Sequence, residues 1–391
     1  MDIFEKCYNF LDAKEAMAAG VYPYFHALET GQDTEVIMEG HRTIMIGSNN
    51  YMGLTSDPRV KKAALEAIEK YGSGCSGSRF LNGTLKLHVE LERELADFLE
   101  KEACLTFSTG FQSNLGIISA IAGRGDIIIN DKENHASIYD ACRLSYAQML
   151  RYKHSDMEEL ERILKEAPEN KGKLIITDGV FSMSGDIAKL PEIVELAKKY
   201  KARVMVDDAH GLGVLGKNGR GTADYFGLTK EVDIIMGTFS KSLASLGGYM
   251  VAEKDVIEYV KHFSRPFIFS ASITPASCAA ASAALEILKT EPDRPKKLMD
   301  VAVYMREGLK KLGIPVKETA IPIIPIFTYD NYRTFIITRR LLDEGVYVNP
   351  VVSPAVPQGE AMLRTSYMAT HTHEQLDFAL AAFKKVFSEV Q

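Results

Sequence analysis

The chain has 391 residues, 46% hydrophobic and 25% charged, with a formal net charge of −6. These are globular proportions, which exclude disorder, collagen and coiled coil, and the acidic balance does not suit a dedicated nucleic-acid binder. The apolar runs fall short of the ~20 residues that span a bilayer, the acidic start MDIFEKCYNF does not read as a signal peptide, and Cys7, Cys75, Cys104, Cys142 and Cys278 form no C-x-x-C pair, so reduced thiols in a cytoplasmic protein are expected.

In chain order, residues 1–55 are read as an N-terminal segment. Asp57-Pro58 supplies an N-cap and first-turn proline for a helix closing near Gly72. Leu87, Leu91, Leu95 and Phe98 fall on one face of a second helix. The turn Ser108–Ser113 precedes a helix over Asn114–Ile121. Four five-residue apolar runs follow: Asp126–Asn130, Leu174–Asp178, Arg203–Asp207 and Asp233–Gly237. Such runs suit strands buried on both faces. Helices over Met157–Ala167 and Pro191–Tyr200 alternate with them, and Pro275–Lys289 leads out of this part of the chain. The alternation predicts an α/β fold, with a large domain over 56–290 and a mostly parallel central sheet between helices. From 291 the pattern changes to a helix over Lys297–Leu312, a strand over Ile321–Tyr329, and helices over Arg333–Glu344 and Thr372–Phe387. These predict a smaller C-terminal α/β domain over 291–391.

Two motifs mislead. Gly211-Leu-Gly213-Val-Leu-Gly216 matches G-x-G-x-x-G, but it follows Asp207-Asp-Ala-His210 and runs into Lys217-Asn-Gly-Arg-Gly221 rather than opening a helix after a strand. It therefore does not read as a dinucleotide site. His371-x-His373 lacks a third ligand nearby and reads as a surface pair at a helix N-terminus, with no metal implied.

Three other pieces fit one cofactor, pyridoxal phosphate. Gly237-Thr-Phe-Ser-Lys241-Ser follows a buried strand. A lysine there can form a Schiff base, and its hydroxyl neighbours can hold a phosphate. Asp207 ends a strand, where a carboxylate faces the ligand crevice and can pair with a pyridine nitrogen, and His210 follows three residues on. Ser108-Thr-Gly110-Phe-Gln-Ser113 presents amides to a phosphate at the start of a helix. Taken singly, Lys241 could be a surface lysine and Asp207 a turn cap.

Over nearly its whole length the chain resembles the α-oxoamine synthase family of fold-type I pyridoxal-phosphate transferases. Ser48-Asn-Asn-Tyr51-Met-Gly-Leu54, Gly72–Arg79, Asn134-His135-Ala-Ser137, Asp178-Gly-Val-Phe-Ser182-Met, Asp207-Asp-Ala-His210-Gly and Gly237–Lys241 occur in family order. The resemblance implies condensation of an amino acid with an acyl-CoA, with loss of carbon dioxide and release of CoA. Thr-Phe-Ser-Lys-Ser followed by Gly247-Gly248 most resembles the branch that joins serine to a long-chain acyl-CoA, giving a 3-ketodihydrosphingosine-type aminoketone in sphingolipid biosynthesis. Other branches of the family, an aminotransferase and a non-catalytic partner subunit are the alternatives.

The resemblance also implies roles. Lys241 is the Schiff-base lysine and proton shuttle, Asp207 pairs with the ring nitrogen, and His210, helped by Ser182, bonds the phenolic oxygen. His135 stacks on the ring. Gly110 and Phe111 give amides, and Thr238 and Ser240 hydroxyls, to the phosphate. Arg364 and Asn50 meet the amino-acid substrate. The Ser270–Thr274 turn, with Ser272, reaches the phosphate of the other subunit, so a homodimer with shared active sites is implied. No nucleic acid and no transmembrane segment are expected, while peripheral membrane contact stays open.

Overall fold

The computed structural model describes residues 2–390. Grouped by packing, the chain forms two compact units, 49–299 and 1–48 with 300–391. The sequence reading placed its divisions at 55 and 290. The division at 299/300 falls inside the helix Arg294–Lys311.

The larger unit is built on seven strands: β1 (Ala103–Phe107), β2 (Ile127–Asp131), β3 (Gln148–Tyr152), β4 (Lys173–Asp178), β5 (Arg203–Asp207), β6 (Ile234–Thr238) and β7 (Gly248–Ala252). Their order is β1-β7-β6-β5-β4-β2-β3. All are parallel except β7, which runs antiparallel to both β1 and β6. β2, β4 and β6 are buried at every position, which is why their sequences are continuous apolar runs rather than alternating ones. β1, β3 and β7 escape the sequence reading because ACLTF, QMLRY and GYMVA carry a small, polar or charged residue that interrupts the run.

Helices cover the sheet. α1 (Pro58–Tyr71) starts where expected, with the Asp57 carboxylate accepting from Arg59 N at 2.9 Å. α2 (Lys86–Phe98) buries Leu91, Leu95 and Phe98, with His88 rather than Leu87 completing the face. α3 (Gly110–Ile121) starts four residues earlier than the sequence reading. Thr109 caps it, its hydroxyl accepting from Gln112 N at 3.1 Å, so the phosphate-type turn is itself the first helical turn. α4 (Ala136–Ser145), unexpected from sequence, is capped by His135.

In the smaller unit, Ile323–Tyr329, Ala361–Ser366 and Asn349–Val351 form an antiparallel sheet with Ala361–Ser366 at its centre. The hairpin Glu35–Met38/His41–Met45 pairs in parallel with Val346–Tyr347. That pairing, with Ile44 N bonded to Gly345 O at 2.8 Å, ties the N-terminal segment to the C-terminal residues. His373 is the exposed first residue of the last helix, as expected, but His371 is not at the surface. His371 is buried and its Nδ1 accepts from Met368 N at 2.9 Å, closing the turn that precedes the helix.

Candidate active site

The carboxyl ends of the parallel strands open onto one cavity of about 290 Å³. That is close to the lower end of the range for small-molecule sites. Lys241, His135, Asp207, His210, Gly110, Phe111, Ser182, Thr238 and Ser240 all line it, although they come from five separate stretches of chain. A parallel sheet puts every strand's carboxyl end on one edge, so residues distant in sequence meet there.

Asp207 ends β5, and its carboxylate is held from two sides. Asn114 Nδ2 donates to Oδ2 at 2.7 Å and Ala209 N to Oδ1 at 3.1 Å. Asn114 Nδ2 also donates to Ser137 Oγ at 2.9 Å, and Ser137 Oγ lies 2.7 Å from His135 Nδ1. A polar relay therefore joins the carboxylate to His135. Ser137 N donates to the same Nδ1 at 3.3 Å, which requires a lone pair there and places the proton of neutral His135 on Nε2. Desolvation on the cavity wall lowers the imidazole's pKa, and the charge of Lys241 lowers it further against the pull of Asp207. His135 is thus held neutral near pH 7.

Asp178 ends β4 directly beside Asp207. Burial, and then the neighbouring Asp207, raise its carboxyl well above the usual range. His210 is fixed from behind, with Tyr51 Oη 2.7 Å from its Nδ1 and both side chains buried. Asn114, Ser137, Asp178 and Tyr51 have no assigned role in the sequence reading. Asn114 carries a signal in retrospect, as a buried amide on the face of α3 that also buries Ile117 and Ile118.

The wall against the phosphate-type turn is tight. A Cβ on Gly110 would lie 2.8 Å from Thr238 Oγ1, so only glycine lets the first turn of α3 approach the β6 end this closely. Thr238 Oγ1 is 2.9 Å from Ser240 Oγ, which pairs two hydroxyls opposite that turn. The first amides of a helix have no intrahelical acceptor, so the Gly110 and Phe111 N–H groups suit an anion. An amine, a carboxylate at a strand end, an imidazole wall and an amide–hydroxyl cradle together fit pyridoxal phosphate.

Three expected residues are not among those that line the cavity. Asn50 is buried in its own loop, with Nδ2 donating to Thr55 Oγ1 at 2.7 Å and Oδ1 accepting from Leu54 N at 3.1 Å. Ser272 donates through N and Oγ to Gly77 O, at 3.0 and 3.1 Å, and does not line the cavity. Arg364 belongs to the smaller unit, buried on the strand Ala361–Ser366, with Nη1 donating to Ser366 Oγ at 3.4 Å. The Gly211–Gly216 run is a turn rather than a helix start, and Gly213, at φ +78°, has Ser242 Cβ 2.5 Å from where its own Cβ would sit.

The sequence pattern of the aminotransferase class I and II family matches residues 42–383. The chain is 51% identical over 387 residues to the serine palmitoyltransferase of Sphingobacterium spiritivorum, covering 99% of this chain and 97% of that one. The chain belongs to the aminotransferase class I and II family, in its α-oxoamine synthase branch. It is also 48% identical over 374 residues to the 8-amino-7-oxononanoate synthase of Thermoanaerobacter pseudethanolicus, with 95% of each chain covered. Among solved structures, serine palmitoyltransferase from Sphingomonas wittichii superposes with a TM-score of 0.97 at 38% identity, covering 100% of this chain and 99% of that one. A high-resolution structure of that type of enzyme with its PLP internal aldimine gives 0.97 at 39% identity, with the same coverage. The architecture of this α-oxoamine synthase is that of fold-type I pyridoxal-phosphate transferases.

Proposed function

We propose that the protein is a pyridoxal-phosphate-dependent acyltransferase that condenses L-serine with a long-chain acyl-CoA such as palmitoyl-CoA, releasing carbon dioxide, CoA and a long-chain aminoketone. The observation that carries this is the convergence of Lys241, Asp207, His135 and His210 on one cavity whose other side is an amide and hydroxyl cradle. Identity of about half to serine palmitoyltransferases over nearly the full chain supports the choice of substrates.

When bound, pyridoxal phosphate supplies an aldehyde for the substrate amine and an electron sink for the pair left at Cα. Gly110 and Phe111 N–H with Thr238 and Ser240 hydroxyls hold its phosphate, Asp207 meets the ring nitrogen, His135 stacks on the ring, and His210 with Ser182 meets the phenolic oxygen. Lys241 Nζ, as a free amine, takes the Cα proton of serine. Arg364 holds the substrate carboxylate as a bidentate guanidinium, and Asn50 approaches the same substrate. His135 stays neutral and moves no proton. The protein works in the cytoplasm as a homodimer in which Ser272 serves the partner's phosphate. Two observations support the dimer: Ser272 does not line its own chain's cavity, and Leu81 and Phe269 are 77% and 74% exposed. Among the described residues no helix is long and apolar enough to cross a membrane.

The 48% identity to an 8-amino-7-oxononanoate synthase favours a second reading within the same branch, with a different amino acid and acyl group. One screen separates the two: serine, alanine, glycine and threonine against short and long acyl-CoAs, with free CoA detected. Serine with the long chain is expected to give the fastest release. Release confined to another amino acid or to short chains overturns the proposal in favour of the second reading.

A further inference from the structure

His154 lies outside the cavity and has no part in the chemistry above. Its imidazole is largely buried, 16% exposed, and it meets carboxylates on both of its nitrogens. Nδ1 is 3.1 Å from Asp131 Oδ1 and 3.8 Å from Glu133 Oε2, and Nε2 is 3.4 Å from Asp186 Oδ2. The ring also packs edge-on against Phe181, with centroids 4.3 Å apart. The second Asp131 oxygen accepts from Ser155 N at 3.0 Å. Lys189 Nζ donates to the Ser155 carbonyl at 3.0 Å.

These partners sit on two segments that both lead into the cavity. Asp131 ends β2, and the chain passes through Glu133 and Asn134 to His135. Asn134 anchors this stretch, with Nδ2 donating to Ile176 O at 2.8 Å and Oδ1 accepting from Asp178 N at 2.8 Å. Asp186 closes the turn that carries Ser182, its carbonyl accepting from Phe181 N at 2.9 Å while Val180 and Ile187 bridge below. His135 and Ser182 both line the cavity.

We propose that His154 is a positioning residue, a cationic clamp that ties the Asp131–His135 segment to the Phe181–Asp186 turn and so holds His135 and Ser182 at the cofactor. A neutral imidazole has one N–H and can donate to only one of the two segments, whereas the cation donates to Asp131 from Nδ1 and to Asp186 from Nε2 at once. Burial alone would lower the imidazole's pKa, but hydrogen bonds to Asp131 and Asp186 and the charges of Asp131 and Glu133 push it up to about 9. The clamp is therefore charged at neutral pH and is lost as pH rises through about 9.

The inference rests on pyridoxal phosphate occupying the cavity and not on the choice of substrates, so the test reads cofactor affinity. The dissociation constant for pyridoxal phosphate would be measured by absorbance titration from pH 7 to pH 10 for wild type, His154→Gln, Asp186→Asn and the double variant. Asp186→Asn, at a part-exposed position, breaks one arm without emptying the core. At pH 7, His154→Gln is expected to weaken binding about tenfold and Asp186→Asn by a smaller factor, with the double variant no worse than His154→Gln. The ratio of His154→Gln to wild type should shrink towards one by pH 10, since the imidazole has lost its charge there and groups common to both proteins cancel. Additive losses in the double variant, or a ratio that does not change with pH, would overturn the clamp. So would wild-type affinity in His154→Gln accompanied only by a lower unfolding midpoint. Failure of wild type to bind pyridoxal phosphate would instead sink the cofactor reading, and binding without CoA release would sink the substrate reading while leaving the clamp standing.

Discussion

Lys241 and Asp207 give the sharpest tests of the site. Lys241→Ala removes the amine proposed to meet the cofactor's aldehyde and to take the substrate proton. It should abolish CoA release and the visible absorbance of the holoenzyme while circular dichroism stays native; normal turnover in this variant would refute the whole assignment. Asp207→Asn is subtler. Asparagine keeps the size and one of the two acceptor oxygens, so it can still accept from Ala209 N, while its NH2 takes the place of the oxygen that accepts from Asn114. What goes is the charge against the ring nitrogen, and loss of a preorganised charge at a reacting centre costs roughly 3–4 kcal/mol. Serine-dependent CoA release at saturating pyridoxal phosphate should therefore fall by about 10²–10³. If Asp207 were only a turn cap, asparagine would serve equally well, since both residues cap. Near wild-type turnover would show that outcome.

At the scale of elements, the close approach of the first turn of α3 to the end of β6 tests the proposed phosphate cradle. Gly110→Ala opposes two effects. Alanine suits a helix better than glycine by about 1 kcal/mol. Its Cβ, however, would meet Thr238 Oγ1 at 2.8 Å, and neither β6 nor the capped turn yields easily. The expected result is a protein that unfolds cooperatively but binds pyridoxal phosphate at least tenfold more weakly, measured by absorbance titration. Unchanged affinity would mean that the cradle is looser than its backbone geometry indicates. This contact explains why the helix starts at Gly110 and not at Asn114: Thr109 supplies the cap, and a glycine at the first position is tolerated because closeness to β6 matters more there than helix propensity.

Two predictions belong to the whole molecule. His371 is buried as a neutral ring, and burial lowers its pKa from 6.5 to about 4. A group whose folded value is depressed stabilises fully above its unfolded value and loses that contribution as pH falls through the folded one. Folding should thus lose about 3 kcal/mol between pH 6.5 and 4 through this residue alone. His371→Asn can still accept from Met368 N but cannot take a proton, so its urea-unfolding free energy should fall less steeply over that window. Equal slopes would show that His371 is not buried as described. The second prediction is oligomeric. Sedimentation should give a dimer, and Ser272→Ala should weaken cofactor binding although Ser272 contributes nothing to its own chain's cavity; a fully active monomer would contradict this.

Composition, the buried runs DIIIN, LIITD, RVMVD and DIIMG, Asp207 at the end of one strand, Lys241 three residues past the end of another and the Ser108–Ser113 turn together pointed to an α/β sheet that holds pyridoxal phosphate. Each is a local signal: a continuous apolar run must be buried on both faces, and the residue ending it must face the crevice. Family resemblance added roles that no periodicity carries. Tertiary structure alone decided that Asn114 and Ser137 join Asp207 to His135, that Asp178 lies beside Asp207, that Tyr51 stands behind His210, and that His154 spans two segments leading into the site. It also put His371 inside, where two histidines before a helix had read as surface. These contacts link residues up to 159 positions apart. Only the register of the parallel strands, the packing of α3 and α4 and the course of the loops that carry Tyr51 and His154 bring these residues together.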